Sequence, residues 1–280
     1  MLHWAQHIAY PDHETSHALY FQADGGMGKT WLLRSCPEIL RDAIPNLLIA
    51  RIVDFYNYES RTPDAIELKL IEGLKQTDNQ WYRLPEDEIE TLFAEYRRVY
   101  AGYIRARERG GASQGEYTPA KLRETFIKAW NQLAERRPLI LRFDTVETLY
   151  SPPPPPEALI SMASASTGAD MVLDWIADVV PHMKHTLALF SGRPLLYQKT
   201  DINPFVERLQ QLNLLAEPVQ EILPFTDPDV VRKYLARHDI EVQDQDIPRI
   251  MDITVGHPLL LTCYAATRGP LTIPLHFHSH

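Results

Sequence analysis

The chain has 280 residues, a formal net charge of -9 and 45% hydrophobic residues, with 28 Lys and Arg against 37 Asp and Glu. That length suits one large or two small domains, and the acidic balance disfavours general binding to a nucleic-acid backbone or an anionic membrane. Its two cysteines, Cys36 and Cys263, form neither a disulfide framework nor a zinc signature and point to a reducing, cytoplasmic setting. No apolar run reaches about 18 residues, and the N-terminus lacks a basic region ahead of an apolar core, so neither a membrane span nor a signal peptide is expected. The histidines His3, His7, His13 and His17, and His276, His278 and His280 in the tail, surround no ligand framework and read as surface residues.

Residues 1–17 lack apolar periodicity and suggest one helical turn and a loop. Ala18-Leu19-Tyr20-Phe21-Gln22 reads as a short buried strand. Ala23-Asp24-Gly25-Gly26-Met27-Gly28-Lys29-Thr30 follows, and Trp31-Leu32-Leu33-Arg34-Ser35-Cys36 continues as a helix to about Arg41. Leu47 to Asp54 predicts a second buried strand ending in an acid. Phe55 to Pro63 is a loop, and Thr62-Pro63-Asp64 starts a helix with a hydroxyl cap and a proline in its first turn. The apolar spacing predicts one long helix from Pro85 to about Arg109, acidic at its start and arginine-rich at its end. Its arginines read as a solvated, dipole-compensating face rather than a nucleic-acid stripe.

A glycine-rich loop over 110–115 precedes a helix from Thr118-Pro119 to about Arg136. Pro138 to Asp144 is the third strand, also ending in an acid. Pro152 to Pro156 reads as a rigid polyproline spacer and 157–168 as a surface excursion. A helix over Met171 to Met183, a fourth strand over Thr186 to Ser191, a short helix over Phe205 to Leu212 and a fifth strand over Pro218 to Leu223 complete this part. Beyond Pro224 the pattern turns helical, with helices over Val230 to His238, Asp244 to Thr254 and Pro258 to Thr267. The expected architecture is α/β: a mainly parallel five-stranded sheet flanked by helices over 1–223, followed by a small helical lid over 224–280.

Strand, glycine turn and Gly-Lys-Thr at a helix start form the context of a phosphate-binding P-loop. Gly25, Gly26 and Gly28 permit backbone turns closed to other residues, so successive amide N–H groups can face an anion, and the helix N-terminus adds unpaired N–H groups. Lys29 would place its ammonium on the β- and γ-phosphates and Thr30 its hydroxyl on Mg²⁺. Met27 and Trp31 complete the stretch expected to border a nucleotide. Ala23 stands where the pattern usually has its first glycine. Asp144, at a strand end well downstream, is the candidate Mg²⁺ acid; Asp54 is its rival. Glu147 is either the water-orienting base or a helix-capping carboxylate. Arg193, after the fourth strand, is either a γ-phosphate contact or a surface arginine in a turn.

Taken together, Gly25-Gly26-Met27-Gly28-Lys29-Thr30, Leu139 to Glu147, Phe190-Ser191-Gly192-Arg193-Pro194 and Gly256-His257-Pro258-Leu259-Leu260 resemble the STAND-type P-loop ATPases, the AAA-related class that includes NB-ARC and NACHT proteins. The resemblance spans about residues 18–265. It implies a P-loop NTPase fold, ATP or ADP with Mg²⁺ as cofactors, adenine against Pro258, and Arg193 as a sensor of the γ-phosphate. It also implies protein partners or self-association in the ATP state. The family's initial hydrophobic-Gly-Arg-Glu element is absent from 1–17, and its winged-helix domain does not follow. The function implied is a slowly hydrolysing, ATP-binding signalling switch, with Lys29, Glu147 and Arg193 as its catalytic residues. The alternatives are a nucleotide-dependent scaffold without turnover and an initiator-like, DNA-associated AAA ATPase, which the charge disfavours.

Overall fold

Strands β1 (His17–Gln22), β4 (Leu139–Asp144) and β5 (Thr186–Gly192) form the centre of a sheet. Every residue of β4 and β5 is buried, as expected of strands covered on both faces. They run parallel, with Leu19 opposite Leu189 and Phe143 opposite Phe190. Three short pieces extend the sheet: β2 (Leu48–Ile49), β3 (Val53–Asp54) and β6 (Gln220–Glu221). The order is β2-β4-β5-β1-β6, with β3 also pairing with β4. A computed structural model describes residues 1–9, 16–40, 42–44, 46–75, 84–109, 117–150, 168–194 and 203–268. The polyproline run, the 110–115 loop, His13 and the three tail histidines lie outside the described residues.

Side chains alternate between the faces of the sheet. Leu139, Leu141 and Phe143 of β4 join Ala188 and Phe190 of β5 in one large core. Helices α3 (Pro63–Lys75), α4 (Glu86–Leu92), α5 (Ala94–Glu108), α6 (Pro119–Ala134), α7 (Gly168–Val179) and α8 (Pro204–Gln211) contribute Leu70, Ile89, Tyr96, Phe126, Trp175 and Phe205 to that core. The intervening residues of β4 face the other way, where the Arg142 guanidinium meets the Leu33 carbonyl of α2 (Lys29–Leu40). Thr118 caps α6, accepting the Lys121 N–H at 3.1 Å.

Four expected elements take a different form. The second strand divides into β2 and β3, whose register against β4 shifts by one residue between Ile49–Ile140 and Val53–Phe143; the Ala50 carbonyl between them is taken by Arg142 Nε at 3.0 Å. The long helix breaks at Phe93 (φ -97°, ψ 13°) into α4 and α5, while Phe93 itself is fully buried. The fifth strand shrinks to β6, whose two residues are both exposed. At the N-terminus, α1 (Leu2–Ile8) is two turns rather than one.

The chain divides into two compact units. The first comprises Met1–Gln22 and Thr30–Gln220; the second comprises Ala23–Lys29 and the segment from Glu221 onward, so the glycine turn groups with the C-terminal helices. The second unit has its own core of Val231 and Leu235 from α9 (Pro228–Ala236), Ile247 and Ile250 from α10 (Ile247–Thr254), and Leu261 and Ala265 from α11 (Pro258–Arg268). Asp227 caps α9 by accepting the Asp229 N–H at 2.9 Å. No helix among the described residues is long and apolar enough to cross a membrane.

Candidate functional site

Asp144 ends β4 and is 2% exposed. Its Oδ2 accepts a hydrogen bond from the Thr30 hydroxyl at 2.6 Å. Its Oδ1 accepts the Thr145 N–H at 2.9 Å and the Ser191 hydroxyl. Strand parity explains the meeting. Phe143 points into the large core, so Asp144 falls on the face that carries α2. Ser191 lies one residue past the Phe143–Phe190 register pair, at the level of Asp144 on the neighbouring strand. Ser191 is not among the site residues expected from the sequence; its only local signal is a hydroxyl near the end of a fully buried strand.

Asp54 lies opposite Asp144 in the β3–β4 register but is occupied differently. It accepts the Tyr56 N–H at 2.9 Å and the Thr145 hydroxyl. Thr145 has φ +57°, a left-handed backbone that turns the chain away immediately after Asp144. Of the two candidate acids, Asp144 is the one in contact with Thr30, while Asp54 braces the turn beside it.

Glu147 and Arg193, expected as independent groups, form a pair. Arg193 Nε lies 3.3 Å from Glu147 Oε1, and the Arg193 backbone N–H donates to Glu147 Oε2 at 3.1 Å. Gly192 makes this approach possible. A Cβ there would collide with the Tyr20 hydroxyl and sit 3.3 Å from Glu147 Oε2. The Tyr20 hydroxyl accepts from Asn203 Nδ2 at 3.0 Å, and burial pushes its pKa well above the usual tyrosine range.

In the second unit the glycine turn is held by side chains. Lys29 Nζ donates to the carbonyls of Ala23 at 2.7 Å and Asp24 at 2.8 Å. His257, next to Pro258, contacts the Gly25 carbonyl through Nε2 at 3.1 Å. A Cβ on Gly26 would lie 2.7 Å from Leu259 Cβ. Gly28 has φ +87° and nothing within 4 Å of where a Cβ would be. Its glycine therefore serves the backbone turn and leaves space beside it. Met27 is buried and Trp31 is 59% exposed. The Pro258 carbonyl accepts from the Tyr234 hydroxyl at 3.2 Å. Among the described residues no group of three or more His, Cys, Asp or Glu is arranged to hold a metal.

Each unit, taken by itself, carries features that a Mg²⁺-nucleotide requires. The turn is glycine-rich with room beside Gly28. An ammonium stands at it, and the next residue in the chain brings a hydroxyl to a buried carboxylate. The chemistry of that last pair, one hydroxyl and one carboxylate, suits a hard cation that keeps several waters.

No family model matches the chain, and no curated protein does. Among solved structures it is similar to domain III of the Thermotoga maritima replication initiation protein DnaA. Identity is 16% over 94% of this chain and 79% of that one, with a TM-score of 0.42. Similarity at that level assigns no function. The chain's own strand order, β2-β4-β5-β1-β6, and its helical C-terminal region define an α/β fold with a parallel central sheet flanked by helices.

Proposed function

We propose that the chain binds a Mg²⁺-purine nucleotide at Gly25–Trp31 and acts as an ATP-dependent switch of the STAND/AAA type. The observation that carries this reading is the Thr30–Asp144 hydrogen bond at 2.6 Å, made by the residue that follows Lys29 at the start of α2. Bound Mg²⁺ would neutralise phosphate charge. Thr30 and Asp144 would hold it. The amides of the turn and the Lys29 ammonium bind the phosphates. Pro258 would lie against adenine, as the STAND resemblance implies. Arg193 lends positive charge to the γ-phosphate and Glu147 orients the attacking water. ATP is preferred to GTP on the strength of the STAND resemblance, and the sequence shows no Asn-Lys-x-Asp element to read guanine.

One observation favours the second reading, a nucleotide-dependent scaffold without turnover. Both Glu147 oxygens are engaged by Arg193, and Thr145 rather than an acid follows Asp144. The decisive experiment measures binding and steady-state hydrolysis of MgATP by the wild-type chain, Lys29→Ala and Glu147→Gln. Lys29→Ala is expected to abolish binding. It should also erase the thermal stabilisation that saturating MgATP confers, about 2.7 kcal/mol at a hundredfold excess over Kd. Glu147→Gln is expected to retain binding and lose at least tenfold in turnover. Unchanged turnover removes Glu147 from the mechanism, and wild-type binding without turnover selects the scaffold. Failure to bind either ATP or GTP overturns the proposal.

A further inference from the structure

His257 makes two hydrogen bonds with opposite roles. Its Nδ1 accepts the Leu259 N–H at 3.2 Å. That N–H belongs to the first turn of α11, so the imidazole caps the helix. With Nδ1 acting as acceptor, the neutral ring carries its proton on Nε2, and Nε2 donates to the Gly25 carbonyl at 3.1 Å. One side chain thus ties the glycine turn to the start of α11, both within the second unit.

The consequence for the turn follows from peptide geometry. Lys29 holds the carbonyls of Ala23 and Asp24, and His257 holds the next one, Gly25. The Gly25–Gly26 peptide is trans. A trans planar peptide directs its N–H opposite to its C=O. Fixing the Gly25 carbonyl on His257 therefore turns the Gly26 N–H to the other side of the turn. Gly26 accommodates this with φ +79°, and Leu259 packs where its Cβ would be. Successive N–H groups oriented in this way make an anion-binding concavity.

The backbone leading to His257 is itself constrained. Val255 (φ +51°) and Gly256 (φ +65°) are consecutive left-handed residues. A β-branched residue in that region is an outlier that persists only where its surroundings impose it. The imposing contacts are on Gly256. Its carbonyl accepts the Phe225 N–H at 2.9 Å, and a Cβ on it would collide with the Phe225 carbonyl.

We infer that His257 is a positioning residue for phosphate binding, holding the Gly25–Gly26 peptide so that the Gly26 amide is presented to the ligand. This rests on the nucleotide reading above. The test uses the full chain and titrates MgATP, MgADP and magnesium pyrophosphate against wild type, His257→Asn and His257→Gln. Asparagine is a good helix cap and preserves the acceptor for Leu259, but it is too short to reach Gly25. His257→Asn is expected to melt with the wild type in the absence of ligand and to bind all three ligands roughly tenfold more weakly, the loss of one hydrogen bond. The longer His257→Gln carries a donor that can reach Gly25 and is expected to recover part of that affinity. Equal affinity in wild type and His257→Asn overturns the inference, as does an affinity loss that glutamine leaves unrepaired. Failure of the wild type to bind any of the three ligands, matching Lys29→Ala, sinks the nucleotide reading itself.

Discussion

Glu67 is a carboxyl group inside the core of the first unit. It is 1% exposed and accepts hydrogen bonds from Trp175 Nε1 at 3.1 Å and the Tyr96 hydroxyl at 3.0 Å. Burial outweighs those two donors and the nearby Arg123 charge, and pushes its pKa from 4.5 up to about 7. A carboxyl raised in the folded state stabilises the fold fully below its unfolded pKa and loses that contribution as pH rises through the folded value. Between about pH 4.5 and 7 the wild type should therefore lose roughly 3 kcal/mol that Glu67→Gln does not lose. Urea denaturation of both proteins at pH 4 and pH 8 checks this. The variants should be nearly equal at pH 4, with glutamine the more stable at pH 8. Nothing in the helical pattern distinguished Glu67 from the solvated acids around it. Its burial depends on Trp175, more than a hundred residues later.

At the scale of elements, Arg142 repairs a helix. Pro37 lies inside α2, and a proline there deprives the carbonyl four residues earlier of its N–H partner. That carbonyl belongs to Leu33, and Arg142 Nη1 donates to it at 2.8 Å. The same guanidinium takes the Ala50 carbonyl where β2 ends, so one buried side chain serves a helix and a divided strand. Arg142→Leu should destabilise the protein by about 2–4 kcal/mol by leaving buried carbonyls without donors. Pro37→Ala restores an N–H to Leu33. In that background the loss from Arg142→Leu should shrink by about 1 kcal/mol, read from a double-mutant cycle in denaturant. Additive losses would show that Leu33 does not depend on Arg142. The break between α4 and α5 likewise escapes local spacing, although the Phe93 and Arg97 N–H groups keep their helical partners. The apolar spacing passes through Phe93 without interruption, and only the packing of its ring near Phe126 coincides with the altered backbone.

At the scale of the whole molecule, charge is the property that constrains partners. A net charge of -9 works against neutralising phosphates along a duplex. Arg97, which opens the arginine run of α5, is engaged with Glu72 and Glu90, and Arg105 Nε donates to the Ala101 carbonyl of its own helix. Duplex DNA should accordingly show no retardation by the wild type at about 0.15 M salt, with or without MgATP. Retention that falls steeply with added salt would instead favour the initiator-like alternative.

Local pattern was enough for most of the elements, because apolar periodicity and caps such as Thr118 and Asp227 act over a few residues. It was enough to mark Gly25–Thr30, since the glycines, Lys29 and Thr30 are contiguous and flanked by a strand and a helix. It identified Asp144, Glu147 and Arg193 as candidates but left open what each touches. The tertiary structure decided that Thr30 meets Asp144 rather than Asp54, that Glu147 and Arg193 pair, that Ser191 joins the carboxylate, and that His257 reaches the glycine turn. The physical reason is sequence distance. Each of these contacts joins residues 46 to 232 positions apart, and strand register and backbone turns, which no local spacing encodes, bring them together.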